Sequence, residues 1–270
     1  MRDVIVLPDP ASVVEATAQR LVSFLLESQS LTSPIHVALT GGDTGIAVLE
    51  RVRANTLLGA VSWPDVHFWW GDERFVAAGG PDRNDWRAHR ALLDHLPEAA
   101  GGIHPVASPD QGLSLVQAAR DYTAELRRHQ VVFSLVLLGV GPDGHVASIF
   151  PGAGDGAGIE VPGAFAVPDS PKPPPARVSL TLDTINAAAQ VWLVAAGQAK
   201  RNAVAAALSA PPAPAPAALA GTAELVDPSV NCPVRDGQAA SADTAAPAAL
   251  AAGRDRTLWL VDAAAAGAAA

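Results

Sequence analysis

The sequence predicts an α/β fold with three layers, in which helices cover both faces of a mainly parallel, doubly wound sheet. Short apolar segments alternate with longer amphipathic ones along most of the chain, the order typical of strands alternating with helices. Residues 133–138 are apolar at all but one position, as expected for a strand buried on both faces. The 270 residues are 49% apolar, which excludes disorder throughout.

The individual elements follow from hydrophobic periodicity. In the first helix, Val14, Ala18, Leu21 and Leu25 share one face, and continuous apolar runs mark the strands. Predicted strands span residues 4–7, 35–39, 66–70, 133–138, 178–182, 191–195 and 257–261. Predicted helices span residues 10–28, 44–55, 87–96, 115–129 and 199–208.

Two stretches interrupt this order. Residues 162–175 contain six prolines, which favour an extended surface segment over a helix or a central strand. Residues 209–250 mix Pro, Ala, Gly and Asp without a period, so we expect a long mobile loop there. We expect residues 1–270 to form a single domain that contains this loop.

Composition excludes several classes of function. The chain has 18 basic and 27 acidic residues, a net charge of −9, which argues against a nucleic-acid partner but not against a local anion pocket. Cys232 is the only cysteine and no paired histidines stand at ligand spacing, so we expect neither a metal nor a cofactor. Residues 131–140, the longest apolar stretch, are too short for a bilayer span, and the start lacks a signal peptide. We expect a cytoplasmic protein without a membrane partner, and either a monomer or a weak dimer.

A glycine turn follows the second predicted strand and leads directly into a helix. It contains Gly41, Gly42 and Thr44, whose backbone N–H groups can face an anion at the helix N-terminus. An ordinary strand-to-helix turn is an equally good interpretation of this segment alone, and the Lys-Ser/Thr ending of a nucleoside-triphosphate loop is absent.

Charged groups follow two further strands. Asp72, Glu73 and Arg74 come directly after the third strand, where they form either a site or a solvated turn. Residues 139–144 spell G-x-G-x-x-G, but the helix and second strand of a dinucleotide site do not follow. His145 remains, two residues after Asp143 and beside Gly144, in a setting that favours general acid/base work.

Arg177 and Lys200 are two further basic residues, and each lies at the start of a predicted element. Arg177 precedes a predicted strand and Lys200 opens a predicted helix. Each alone is most simply a solvated charge, but together they can clamp a phosphate. The remaining six histidines, among them His89, His104 and His129, are interpreted as surface or packing residues.

Together these segments resemble the 6-phosphogluconolactonase family along essentially the whole chain, except within residues 209–250. The similar blocks are L-T-G-G at 39–42, W-G-D-E-R at 70–74, L-G-V-G-P-D-G-H-V-A-S-I-F-P-G at 138–152, R-V-S-L-T-L at 177–182, G-Q-A-K at 197–200 and R-T-L-W-L-V-D at 256–262. The resemblance implies the fold shared by glucosamine-6-phosphate deaminases and ribose-5-phosphate isomerases.

The glucosamine-6-phosphate deaminases are the relatives most easily confused with this family. Their Asp-Gly-His is followed by Asn-Glu before a proline, whereas residues 148–151 here are S-I-F-P. They also carry tyrosine where this chain has Arg74. Both differences favour the lactonase. Asp43 departs from the family, since a carboxylate in the phosphate turn repels phosphate unless it points outward.

The resemblance implies hydrolysis of 6-phospho-D-glucono-1,5-lactone to 6-phosphogluconate, with a phosphorylated sugar lactone as the small-molecule partner. It implies His145 as the general base, oriented by Asp143. Arg74 either stabilises developing negative charge or holds Asp72 and Glu73. The phosphate and substrate contacts are assigned to Gly41, Gly42, Thr44, Asp72, Gly144, Arg177 and Lys200. A deaminase/isomerase and a sugar-phosphate sensor without catalysis stay open as alternatives.

Overall fold

A computed structural model describes residues 1–96, 102–211 and 246–267. Its main sheet has seven strands, all parallel, in the spatial order β1-β10-β9-β6-β2-β3-β5. These strands are β1 (Arg2–Leu7), β2 (Ile35–Leu39), β3 (Val66–Trp70), β5 (Gly102–Ile103), β6 (Leu135–Gly139), β9 (Gln190–Ala195) and β10 (Arg256–Asp262). A parallel sheet of this kind confirms the predicted fold class.

Helices cover both faces of this sheet, because alternate strand residues point to opposite sides. The helices are α1 (Pro10–Gln29), α2 (Gly42–Arg53), α3 (Asn84–Ala91), α4 (Leu115–Arg128), α5 (Leu182–Asn186), α6 (Arg201–Ser209), α7 (Pro247–Leu250) and α8 (Ala263–Ala266). Val37 packs with α1, α2 and α3 on one face, whereas the neighbouring Ala38 faces the core that includes α4 and α6. No helix in the described ranges is long and apolar enough to cross a membrane.

A second, antiparallel sheet lies on the α4 side, with the order β4-β8-β7. It contains β4 (Asp72–Arg74), β7 (Ala164–Val167) and β8 (Arg177–Leu180). The strand predicted at 178–182 therefore does not belong to the parallel sheet. It stops at Leu180 because the Thr181 side chain accepts a hydrogen bond from the Thr184 amide and starts α5. Residues 162–175 do include an extended edge strand, but Ala164 and Val167 are buried.

Several elements begin or end at residues other than those predicted. The helix predicted from residue 44 begins at Gly42. The helix predicted at 87–96 is α3, which starts earlier and gives way to a 3₁₀ turn at Leu93–His95. In the predicted mobile loop at 209–250, Ser209 ends α6 and Pro247–Leu250 is a short helix with buried alanines. Residues 212–245 of that loop lie outside the described residues.

Candidate active site

The ends of three strands meet at the carboxyl edge of the main sheet. The Gly139 amide donates to Thr40 Oγ1 at 3.0 Å, which ties the end of β6 to the end of β2. The Gly71 amide donates to the Leu39 carbonyl at 2.9 Å, and the Gly71 carbonyl accepts from Leu180 at 2.8 Å. The three segments predicted to carry the chemistry are therefore brought to one edge, as parallel strands require.

The N-terminus of α2 opens onto this edge. Gly41 is the N-cap and makes no side-chain capping bond, and the amides of the first helical turn have no intrahelical acceptor. Asp43 does not obstruct this end: its carboxylate is 99% exposed and pairs with Arg87 at 2.8 Å. The first turn of α2, including Gly42 and Thr44, is therefore not blocked by Asp43, and its contact with a phosphate stays a prediction.

Asn84 explains why residue 41 is a glycine. A Cβ on Gly41 would lie 1.9 Å from Asn84 Oδ1, so no larger residue fits. The Asn84 side-chain nitrogen donates to the Asp72 carbonyl at 2.8 Å. Asn84 Oδ1 is buried and has no hydrogen-bond partner among the described residues. The sequence analysis missed Asn84, because nothing local indicates that the start of α3 packs against the glycine turn.

Glu73 fixes the start of α3 from inside the protein. Its carboxylate is fully buried and accepts hydrogen bonds from the amides of Arg74, Asn84 and Asp85 at 2.7–2.8 Å. The Arg83 guanidinium lies 3.9 Å away. Burial raises the pKa of Glu73 to about 7, while Arg83 and the amides favour the ionised form. Both oxygens are occupied, so Glu73 supports the site and does not face a substrate.

Asp72 belongs to a buried cluster of polar side chains that also contains Ser148 and Arg177. Its Oδ2 accepts from Ser148 Oγ at 2.6 Å and lies 3.6 Å from Arg177 Nη1. Arg177 also donates to the carbonyls of Lys172 at 2.9 Å and Pro174 at 3.1 Å. Its side chain is only 5% exposed. Direct phosphate binding by Arg177 stays a prediction, and these contacts favour a positioning role.

Arg74 makes fewer contacts. Its Nη1 donates to the Asp82 carbonyl at 2.6 Å, and it forms no ion pair with Asp72 or Glu73 in the described part of the chain. Arg177 and Arg83 occupy those positions instead. Of the two roles suggested for Arg74, holding the carboxylates is therefore not supported by the structure, and stabilising negative charge stays a prediction.

The Asp143–His145 pair is intact. His145 Nδ1 lies 2.5 Å from Asp143 Oδ1, and both side chains lie against Gly141, where a Cβ would be 1.9 Å from Nδ1. The loop closes with a hydrogen bond from the Gly141 amide to the His145 carbonyl at 2.8 Å. The His145 ring, 12% exposed, packs on Phe150 with centroids 4.5 Å apart. The pair is held rigidly at the sheet edge.

Gly144 allows this loop to turn. Its φ of +83° is a left-handed conformation, and a Cβ there would lie 2.6 Å from Ala246 Cβ. Its amide donates to the Gly141 carbonyl at 3.0 Å, and its carbonyl accepts from the Ala248 amide at 2.9 Å. Both backbone polar groups of Gly144 are thus used within the protein, which favours a conformational role over the predicted substrate contact.

Lys172 is the functional candidate that the sequence analysis did not find. Its Nζ lies 3.5 Å from both ring nitrogens of His145. Burial lowers the pKa of His145, Asp143 opposes that shift, and the Lys172 charge adds to it. The only local signal is a lysine placed between prolines in residues 162–175. Its position beside His145 depends on how β7 and β8 pack, which the local sequence does not show.

Lys200 completes the charged group. Its ammonium is half-buried, and burial together with the nearby Lys172 charge lowers its pKa, while Asp143 raises it. Lys172 lies beside His145, and the charges of Asp143 and Asp72 also act on the ring. Lysine ammonium groups suit a substrate that carries a phosphate or develops an oxyanion.

Comparisons with known proteins identify the family of this chain. Residues 8–226 match the family described as glucosamine-6-phosphate isomerases/6-phosphogluconolactonase. The chain is 39% identical to a 6-phosphogluconolactonase of Streptomyces coelicolor, over 96% of this chain and 91% of that protein. It is 35% identical to the enzyme of the same name from Mycobacterium tuberculosis, over 95% and 94%.

Solved structures show the same fold at lower identity. A 6-phosphogluconolactonase from Thermotoga maritima superposes with a TM-score of 0.75 at 24% identity, covering 97% of this chain and all of that one. A monomeric glucosamine-6-phosphate deaminase superposes with a TM-score of 0.71 at 15% identity, covering 98% and 99%. The fold alone is therefore common to both activities.

Proposed function

Because the chain belongs to the family of glucosamine-6-phosphate isomerases and 6-phosphogluconolactonases, we propose that it hydrolyses 6-phospho-D-glucono-1,5-lactone to 6-phosphogluconate. The observation that carries this proposal is the Asp143–His145 pair, held at 2.5 Å with the Lys172 ammonium 3.5 Å from the imidazole. The curated relatives named above bear the lactonase name, and the reaction belongs to the oxidative pentose phosphate pathway.

Phosphate binding is the first step of the proposal. The free amides of Gly42, Asp43 and Thr44 at the start of α2 and the ammonium of Lys200 supply donors and positive charge for a dianion. Binding energy from the phosphate, which does not react, is used to orient the lactone carbonyl beside His145. This division predicts that Lys200 contributes to KM and that His145 contributes to kcat.

His145 performs the proton transfers. With Nδ1–H donated to Asp143, the other ring nitrogen, Nε2, carries the lone pair that takes a proton from water. The water oxygen bonds to the lactone carbonyl carbon, the bond from that carbon to the ring oxygen breaks, and the imidazolium returns its proton to the ring oxygen. Asp143 keeps the ring in the required tautomer throughout.

Lys172 acts on the same step in two ways. Burial lowers the pKa of His145 and the Lys172 charge adds to that shift, which favours the unprotonated imidazole that accepts a proton. The Lys172 ammonium also faces the place where the carbonyl oxygen becomes negative, together with Arg74. Arg177 positions Lys172 through the bond to its carbonyl. Lys172 is therefore proposed as a second cation, in addition to Arg74, that stabilises the transition state.

We also propose that the reaction takes place in the cytoplasm and that the small-molecule partner is the phosphorylated lactone. The net charge of −9 argues against a nucleic-acid partner.

The deaminase alternative is weaker. Ser148 occupies the segment in which the deaminases carry a carboxylate, and here its hydroxyl donates to the buried Asp72. The sensor alternative leaves the Asp143–His145 pair without a purpose. Lactone consumption measured at slightly acidic pH, where background hydrolysis is slower, tests the proposal directly. We expect rapid loss of the phosphorylated lactone and no ammonia from glucosamine 6-phosphate; the reverse result would reject the lactonase assignment.

A further inference from the structure

A second group of histidines lies at the opposite edge of the main sheet. His36 is the second residue of β2 and His67 the second residue of β3, and the register of the two strands pairs them directly. His104 follows β5 and is anchored by its amide, which donates to the Phe68 carbonyl at 2.9 Å. His129 lies at the C-cap of α4. This amino-edge cluster takes no part in the chemistry proposed above, which lies beyond the carboxyl ends of the strands.

Three of these side chains are arranged as metal ligands. His67 Nδ1 lies 3.0 Å from His104 Nε2, and one ring nitrogen from each of His67, His104 and His129 lies within 4.8 Å of the others. We propose that these three histidines bind a divalent transition-metal ion such as Zn²⁺. Zinc–nitrogen bonds of about 2.0–2.1 Å separate tetrahedral ligand atoms by roughly 3.3–3.4 Å, so His67 and His104 need to part by only a few tenths of an ångström.

A carboxylate already orients one of the ligands. His104 Nδ1 lies 3.0 Å from Glu125 Oε1, so His104 donates its Nδ1–H there and presents the Nε2 lone pair towards His67. Metal-binding histidines typically have such a carboxylate partner on the far nitrogen. Glu125 is itself held by Arg128 at 2.6 Å and lies 3.2 Å from His129 Nε2. One carboxylate thus contacts two of the three ligands.

The surroundings suit a neutral-imidazole site. The Trp69 indole stacks on His104 at 3.9 Å with the rings 6° apart, which forms a flat apolar wall. Trp69 Nε1 donates to His36 Nδ1 at 3.1 Å, so that nitrogen of His36 is not free to bind. Burial lowers the pKa values of His67 and His104, and Glu125 opposes that shift at His104. A histidine binds a metal ion through its neutral imidazole.

Access and coordination number follow from burial. His104 is only 8% exposed, whereas the side chain of His129 is 30% exposed at the end of a helix. An ion therefore enters from the His129 side, and rotation of the His129 side chain brings its ring nitrogen within bonding distance of the ion. Three imidazoles leave a fourth tetrahedral position for water or for Glu125.

Titration calorimetry of the tag-free, chelator-treated full chain with ZnCl₂ tests this site. We expect one equivalent to bind per chain and the thermal midpoint to rise with Zn²⁺. His104→Gln should weaken binding at least tenfold and remove the thermal shift, and Glu125→Gln should weaken it roughly 10–100-fold, as for other carboxylate partners of metal-binding histidines. His129→Gln, at a partly exposed helix end, provides the same test without disturbing the core.

Two controls separate this site from adventitious binding. His89→Gln removes an exposed histidine of α3, which pairs with Asp94, and should leave the Zn²⁺ affinity unchanged. His145→Asn removes the carboxyl-edge histidine and should also retain one equivalent. Absence of Zn²⁺ binding in the wild type, or binding by His104→Gln and His129→Gln as tight as in the wild type, would show that the amino-edge cluster only packs the sheet edge.

Discussion

The two histidine sites lie at opposite edges of one sheet and differ in what surrounds the imidazoles. At the carboxyl edge, His145 is placed between the Asp143 carboxylate at 2.5 Å and the Lys172 ammonium at 3.5 Å. At the amino edge, His67 and His104 contact each other at 3.0 Å. One imidazole thus lies between a carboxylate and an ammonium, whereas the amino-edge imidazoles contact one another and two of them share the Glu125 carboxylate.

This difference shows how neighbours select the chemistry of one side chain. At His145 burial and Lys172 lower the pKa and Asp143 raises it, and the proposed mechanism uses this ring to accept and return a proton. At His67 and His104 burial is the largest cause of a lowered pKa, and the proposed role of these rings is to hold a cation. The comparison therefore predicts that substitutions at the two edges have separate effects.

The largest expected effect is on turnover. His145→Asn retains a polar side chain but removes the group that accepts and returns the proton, so kcat should fall by about 10²–10⁴. Binding of 6-phosphogluconate should hardly change, because the proposed phosphate contacts lie elsewhere. Steady-state kinetics and product titration measure both, with His89→Asn as the matched histidine control. A His145→Asn enzyme with near-normal kcat would move catalysis away from the carboxyl-edge pair.

The next effect is on stability and contrasts a buried carboxylate with a partly exposed one. Glu73→Ala leaves the amides of Arg74, Asn84 and Asp85 without their acceptor and should lower the free energy of unfolding by roughly 3–5 kcal/mol. Glu125→Ala at the amino edge, measured without metal, removes a 31% exposed carboxylate and should cost no more than about 1 kcal/mol. Urea unfolding gives both values. Equal losses would mean that Glu73 does not anchor α3 as described.

Substrate affinity should change by a smaller amount. Lys200→Ala removes one charge-assisted contact to the phosphate, worth roughly 1.5–3 kcal/mol, and should mainly raise KM. Arg201→Ala is the matched control, since Arg201 is the next residue and donates to the Gly267 carbonyl. The phosphate clamp would have to be abandoned if KM stayed the same or if unphosphorylated gluconolactone reacted equally well.

The smallest effect is on the pH profile, and its sign tests the opposing charges at His145. Protonated His145 cannot act as a base, so kcat/KM should rise with pH through a midpoint below the ordinary histidine pKa of 6.5. Lys172→Gln removes a charge that lowers this pKa, so the midpoint should move to higher pH. Asp143→Asn removes a charge that raises it, so the midpoint should move to lower pH and kcat should fall less than in His145→Asn.

Profiles of kcat/KM against pH for the three proteins check this prediction, and NMR titration of the imidazole separates His145 from ionisation of the substrate phosphate. Shifts of the same sign in Lys172→Gln and Asp143→Asn would contradict the arrangement of charges. His36, His67 and His104 should titrate unchanged in both variants, because neither Lys172 nor Asp143 is among the groups that shift their pKa values.

Sequence reasoning succeeded where contacts are local. Alternating apolar and amphipathic segments predicted the layered parallel sheet, and the D-G-H loop predicted a pair whose members are two residues apart. It predicted a strand at 178–182 but not the antiparallel pairing of that strand, because an apolar run looks the same in a parallel and an antiparallel sheet. It also failed at the start of α3, because the cap is supplied by Glu73, eleven residues before Asn84.

By itself, the sequence determined the α/β class, the strand ends that carry chemistry, and the Asp143–His145 pair, because periodicity and short loops act over a few residues. Only the tertiary structure decided that Lys172 faces His145 across 27 positions and that Arg177 pairs with Asp72. It also decided that His67 meets His104 across 37 positions. Such contacts depend on strand order and register, which follow from how the whole core packs.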